Sequence, residues 1–342
     1  MATVQIADIY NPLIFNPSVQ EAAIELNAFF ASGVLVQDQL INEAASGPGR
    51  IGDLSFYNGL ANPQYDGTNE PDYVNDDDTD NSTPDKIGDG LMKWRKAFMH
   101  KSWSTMDLAV QMALADPMGA IINRIGKYWA VANELRLISA AMGILADNVA
   151  NDDGDMVVNV ATDAVGEPSA DEVISSDSVL NAKATLGDHA NSLAVIAMHS
   201  VPYTTLQKAN LIDYIRDADN NILFGTYLGY RVVVDDSLPA VAGVNRTTYT
   251  SVLFSGGQFG FGQGNPEKPS ELEREPSAGN GGGQDIIHSR QTNIIHPVGF
   301  SFESAAVAGE TPTFAELRNA ANWNRVYANR KNIGMAFLQT NG

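Results

Sequence analysis

The chain has no cysteine in 342 residues. That absence removes disulfides, thiolate catalysis and cysteine-ligated zinc together, and the protein needs no oxidising compartment, so a bacterial cytoplasm suits it. Basic residues are scarce. Lys plus Arg number 21 against 41 Asp plus Glu, a formal charge of -20, which rules against a phosphate-tracking groove and sequence-specific nucleic-acid binding. No apolar run in the sequence approaches the roughly 20 residues of a bilayer span, and Met1 to Asp8 lack a basic stretch followed by an apolar core. Neither a membrane anchor nor Sec export is expected.

Catalytic patterns are missing as well. The five histidines, His100, His189, His199, His288 and His296, form no HExxH or other pair close in sequence, so no zinc site or triad is expected. There is no Gly-x-Ser-x-Gly elbow and no GxxxxGK[ST] loop, which leaves serine hydrolysis and nucleotide hydrolysis without a home. Gly260-Phe261-Gly262-Gln263-Gly264 has GxGxG spacing and is followed by Pro266, so it reads as a strand ending in a tight loop and not as a dinucleotide loop. Asn151-x-Asp153-Gly154 fails as an EF-hand, because its first and twelfth positions are Val149 and Val160. The acidic run Asp76-Asp77-Asp78-Thr79-Asp80 reads as a solvated tip. No catalytic residue, cofactor or metal is expected.

What is present is a chain able to bury a sizeable core: 44% of its residues are hydrophobic, enough for one large domain or two lobes sharing a core. Residues 1–47 open with Tyr10-Asn11-Pro12 and Asn16-Pro17-Ser18, turn chemistry that suits an arm lying on another surface. A short amphipathic helix follows, with Ser18 as N-cap, Glu21 completing a capping box, apolar residues at Ala22, Leu26, Phe29 and Phe30, and Gly33 at its end. Over 48–103, strand-like Asp53 to Tyr57 leads into a long acidic tract ending near Gly90, and Leu91 to Phe98 returns. In the return piece Met92, Trp94 and Phe98 occupy one side of a period of two, and Lys93 and Arg95 the other. The two pieces describe a long hairpin that must lean on another surface.

Ser104 to Ala115 reads as a helix. Asp116-Pro117 then opens the strongest helical signal, with Met118, Ile121, Ile122, Ile125, Trp129, Ala132, Leu135, Ile138, Met142 and Leu145 on one apolar face. At about 28 residues this is a rod of about 40 Å, held straight by packing despite Gly119, Gly126 and Gly143. A mixed lobe follows the turn at Asn151 to Asp155: strand Met156 to Val160, helix Ser178 to Ala190, strand Leu193 to Met198, helix Thr204 to Ile212, and strands Tyr230 to Val234 and Tyr249 to Phe254. The run Leu193-Ala194-Val195-Ile196-Ala197-Met198 suits a sheet buried on both faces. A charged stretch at Glu267 to Glu275 and a glycine-rich one at Gly279 to Gly283 precede strand Thr292 to Ile295, which continues to Phe302. Thr313 to Asn329 reads as helical or irregular, and a last strand spans Ile333 to Leu338.

The segments Lys96-Ala97-Phe98 to Trp103-Ser104-Thr105-Met106-Asp107-Leu108-Ala109, Asp116-Pro117-Met118 and Tyr128-Trp129 resemble the core of major capsid proteins of tailed phages. So do Gly225 to Asp236, Tyr249-Thr250-Ser251, Phe259 to Gly262, Ser289-Arg290, His296 to Phe300 and Asn322-Trp323. The similarity runs in order from about residue 90 to the end, and residues 1–90 agree in plan. It implies the α+β Hong Kong 97-like capsid fold: an N-terminal arm (1–47), an E-loop hairpin (48–103), a peripheral domain with a spine helix (104–150 and 290–342), and an axial domain of mixed sheet and flanking helices (151–289). No internal cleaved scaffolding domain is expected, and the covalent Lys-Asn cross-link of some relatives is not transferred, since Lys93 and Lys96 match no defined acceptor.

The resemblance implies a non-enzymatic coat protein that assembles in the host cytoplasm into pentamers and hexamers of an icosahedral virion shell around double-stranded DNA. Its expected partners are other copies of itself, portal and scaffolding proteins and a decoration or cement protein. The acidic balance fits DNA that slides past the wall without specific contacts. Residues expected at contacts between copies are Tyr10 and Phe15 in the arm, Asp76, Asp78 and Asp80 at the acidic tip, and Lys93, Trp94, Arg95, Lys96 and Lys101 on the basic return strand. Two rival readings are an acidic lattice-forming surface or adhesion protein, which would call for an export signal, and a hydrolase built on Asp188, His189 and His199.

Overall fold

The computed structural model describes residues 28–342 apart from 61, 62, 64, 65, 67, 113–116, 218 and 219. The start of the expected first helix, Asp116, and the arm residues Tyr10 and Phe15 lie outside the described residues. Helix α1 (Ala28–Ser32) is followed by β1 (Leu35–Gln37) and α2 (Gln39–Ser46). Gly33 ends α1 with a positive φ of 79°, a conformation without steric penalty only for glycine. Next come β2 (Ile51–Tyr57), β3 (Asp89–Arg95), β4 (Ala97–Met106), α3 (Asp107–Met112) and the long helix α4 (Pro117–Asn151).

Helix α4 has 35 residues, about 52 Å at 1.5 Å per residue, longer than the apolar spacing indicated. Its C-terminal half is core on nearly every side: Leu137, Ala140, Ala141 and Ile144 are each no more than 2% exposed. Its N-terminal half is mostly half-buried, and Ile122, expected on the buried face, is exposed. The helix is long and apolar enough to cross a membrane by length and composition, but most of its apolar window is buried inside the fold. Gly143 lies where a Cβ would overlap the Leu317 carbonyl and the Trp323 indole, so this glycine permits the chain's end to pack directly on the rod.

Thirteen further strands follow, with three α-helices among them: β5 (Val157–Asn159), α5 (Ser176–Ala184), β6 (Leu193–Met198), α6 (Ser200–Lys208), β7 (Asp213–Arg216), β8 (Ile222–Tyr227), β9 (Tyr230–Val234), β10 (Ala240–Ala242), β11 (Thr247–Ser255), β12 (Phe259–Gly264), β13 (Ser270–Glu275), β14 (Gln284–Pro297), β15 (Phe300–Phe302), α7 (Phe314–Leu317), β16 (Trp323–Arg325) and β17 (Met335–Thr340). One sheet runs β5-β17-β11-β6-β9-β8-β7, with β10 on β11. Its faces alternate as the apolar runs require. Val195, Ala197, Val252, Phe254, Met335 and Phe337 join Leu137 and Ile144 of α4 in one core. Ile196, Met198, Leu253, Ala336 and Leu338 join Val179, Ala182 and Leu206 of α5 and α6 in another.

The second sheet is built on β14. Strand β4 pairs along one edge, from Asn293–Ala97 to Gln284–Met106, while β13 and β12 pair end to end along the other, and β1 extends it beyond β12. Three expectations are corrected here. Ser104 to Met106 are strand and not helix, because their backbone groups pair with Gln284 to Ile286 and Ser104 and Thr105 are buried; helix begins only at Asp107. Phe259 to Gly264 are strand throughout, with no tight loop. The glycines at 260, 262 and 264 face α2, where a Cβ would overlap Ile41 or Ala45, so the GxGxG spacing makes a seat for a helix. The sixth helix starts at Ser200, earlier than Thr204, because the His199 ring accepts from the Val201 N–H and caps it.

Candidate contact surface between subunits

Strands β2 and β3 form the expected hairpin, registered from Ile51–Arg95 to Tyr57–Asp89. Its aromatics lie across glycines: Trp94 is opposite Gly52 and Phe56 opposite Gly90, and a Cβ at either glycine would overlap the ring. Met92 and Trp94 are buried, as the period of two predicts. Phe98 is not on that side. A break at Lys96 separates β3 from β4, which buries Ala97 at 2% and leaves Phe98 47% exposed.

The base of the hairpin is fastened to its own chain. The Lys93 N–H donates to Ser301 Oγ at 2.9 Å, and the Lys93 ammonium meets Glu303 at 2.7 Å, a bond that raises the lysine's pKa. Arg95 donates to the Glu310 carbonyl at 2.9 and 3.1 Å, and Arg50 ion-pairs with the Glu310 carboxylate. Phe98 and Thr311 exchange backbone-to-hydroxyl bonds of 2.8 and 2.9 Å. Lys96 is 2% exposed; its ammonium donates to the Gly47 carbonyl, and burial lowers its pKa. Trp94 packs with Ile41, Ala45 and Ile294. Thus Lys93, Trp94, Arg95 and Lys96 hold the hairpin to its own body, and Lys96 and Trp94 have little surface to offer a neighbour. Lys101 remains exposed on β4.

The distal part is different. Every described residue from Tyr57 to Asp89 is exposed, including Tyr73 at 76% and Val74 at 101%. Asp76, Asp78 and Asp80 lie there, with the loop shaped by local bonds: Asp77 accepts from the Thr79 N–H at 2.9 Å, and Asn75 donates to Asp80 at 2.6 Å. The Thr79 hydroxyl and N–H hold the Asp77 pKa down. An excursion of this length whose described residues are all exposed is completed by some other surface or remains solvated. Two of the three residues proposed for a hydrolase have structural duties instead. Asp188 pairs with Lys331 at 2.7 Å, and His199 caps α6.

The family whose model is described as major capsid protein 13-like, or Gp13-like, matches residues 74–334. The chain belongs to this major capsid protein family. It is 37% identical over 334 residues to the major capsid protein of Bacillus phage SPP1, covering 97% of this chain and 96% of that one. Two solved capsids share its shape: that of Ralstonia phage GP4, with a TM-score of 0.59 at 10% identity over 91% of this chain and 88% of that one, and that of cyanophage Pam1, with a TM-score of 0.55 at 10% identity over 88% and 87%. At this identity the likeness establishes the fold, the Hong Kong 97-like capsid fold, and the sequence match establishes the family. This capsid protein is therefore a structural component of a tailed-phage shell and not an enzyme. It forms the capsid shell of the virion.

Proposed function

We propose that copies of this protein group as pentamers and hexamers and close into an icosahedral shell around packaged double-stranded DNA, each hairpin lying across an adjacent subunit. The observation that supports this reading is the exposure of every described residue from Tyr57 to Asp89, set against the firm fastening of the hairpin's base. Such a lever is positioned by its own body and completed by a sibling, and closed symmetry lets every copy give and receive the same contact. Asp76, Asp78 and Asp80 at the tip and Lys101 on β4 are charges that would fix register between copies. Tyr10 and Phe15 of the arm are proposed at the same boundary. The net charge of -20 suits a wall along which DNA slides, filled from the cytoplasm through a portal, with scaffolding and decoration proteins as further partners.

The proposed domain division follows the sheets. The expected boundary between 289 and 290 falls inside β14, and β17 joins the sheet of β6 and β11. The peripheral unit is accordingly α4 with the β4–β14 sheet, and the axial unit is the sheet of β6, β9, β11 and β17 with α5 and α6. The test is replacement of residues 59–87 by a two-residue Asn-Gly turn, which joins strands already in register. The expected outcome is a folded, soluble subunit that forms no closed particles by electron microscopy. Normal shells from this variant would overturn the hairpin's role.

A further inference from the structure

Two histidines separated by 188 positions meet on the β14 sheet. Trp129 of α4 donates to Ser289 at 2.8 Å, so the long helix covers the face that bears Ser289. Side chains alternate along a strand, which puts His288 on the opposite face. There His100 of β4, whose Cα partner is Arg290, stacks on His288 with ring centroids 5.3 Å apart and planes 23° from parallel. His100 Nε2 lies 3.1 Å from His288 Nδ1, and His288 Nε2 lies 2.9 Å from Glu273 Oε2 on β13.

The carboxylate sets the tautomer. Glu273 accepts only when His288 carries its proton on Nε2, which leaves the Nδ1 lone pair directed at His100. This is the arrangement in which an outer carboxylate orients a metal-binding imidazole. Two nitrogens 3.1 Å apart both reach one ion at the usual ~2.0–2.1 Å with an N–metal–N angle of about 100°, between octahedral and tetrahedral values. The surrounding charges are two of each sign. Arg290 is paired with Glu271 at 3.2 Å, Lys268 shares the same carboxylate at 3.5 Å, and Glu273 is the remaining charge. Burial, His288 and Arg290 hold His100 below the ordinary histidine pKa.

We propose that His100 and His288 bind one divalent transition-metal ion of the zinc class, with Glu273 as a positioning residue and water in the open positions. Among the described residues, no group of three or more His, Asp or Glu side chains is placed to hold a metal, so the site is a two-ligand clamp whose ion exchanges. Soft and borderline ions favour imidazole, whereas Mg2+ and Ca2+ prefer oxygen ligands. A bound ion would tie β4, which continues from the hairpin, to the central strand of its sheet.

The test is calorimetric titration of Zn2+ into chelator-treated subunit at pH 7.5. One equivalent per chain is expected, without net proton release from neutral His100, because its ring hydrogen moves from Nε2 to Nδ1 as Nε2 takes the ion. Glu273→Gln should keep the stoichiometry and weaken binding about 10–100-fold, and Mg2+ should not compete. His199→Gln, at a histidine beside a different carboxylate, should leave the binding unchanged. Undiminished binding in the His100→Gln/His288→Gln double variant, or none by the unaltered protein, would overturn the site. Electron paramagnetic resonance of Cu2+ on the unaltered protein needs no variant: two imidazole nitrogens on the copper support the clamp, and fewer refute it.

Discussion

Gly126 and Gly143 lie in the same helix, and replacing each by alanine should change stability in opposite directions. By helix propensity alone each substitution gains about 1 kcal/mol. At 126 nothing lies within 4 Å of the new Cβ, so the gain stands. At 143 the Cβ would take the space of the Leu317 carbonyl and the Trp323 indole nitrogen, which bond to each other at 2.7 Å. The methyl can enter only if the segment from α7 to β16 lifts from the rod. Overpacking of this kind costs about 1–3 kcal/mol, and a buried hydrogen bond left unmade costs about 1–3 kcal/mol more. After subtracting the propensity gain, Gly143→Ala should destabilise by about 1–5 kcal/mol. Urea unfolding of the isolated subunit measures both: the midpoint should rise for Gly126→Ala and fall for Gly143→Ala, with little change in slope. A stabilised Gly143→Ala protein would mean that the C-terminal segment does not approach the helix as described, and the packing argument would fail.

Acid should weaken the subunit through His296, which is 4% exposed and whose pKa burial pushes down to about 4 against the Phe300 backbone contact. The unfolded chain binds this proton near pH 6.5 and the folded one does not, so the contribution is whole above pH 6.5 and about 3 kcal/mol is lost by pH 4; unfolding of His296→Gln should vary less with pH across that window. Arg246 ties two loops by bonds to Glu172 at 2.8 Å, Thr162 at 2.9 Å, the Gly166 carbonyl at 3.0 Å and the Glu167 carbonyl at 2.8 Å. Arg246→Ala should lower stability by about 3 kcal/mol, and a loss below about 0.5 kcal/mol, the scale of an ordinary surface change, would show that the clamp carries little. Neutralising the tip by Asp76→Asn, Asp78→Asn and Asp80→Asn should leave subunit melting unchanged and alter the salt dependence of assembly followed by light scattering; identical salt curves would remove these carboxylates from the contact.

The sequence by itself determined the elements whose pattern reports how water and core are divided. Leu193 to Met198 and Tyr230 to Val234 are strands at their expected limits, Pro117 opens the long helix, and both hairpin strands are present, because these runs contrast sharply with polar or turn-forming neighbours. Tertiary structure decided what depends on a distant partner. Ser270 to Glu275 carry charge along an exposed edge and have no apolar face to betray a strand; they are extended only because β14 offers them a backbone to pair with. The same strand turned Ser104 to Met106 from helix to sheet, engaged the basic return strand's neighbours inside the molecule, and brought His100 to His288. A local pattern encodes which side of a segment avoids water, but hydrogen-bond partners, close glycine contacts and side-chain pairs arise only when segments hundreds of residues apart share one surface.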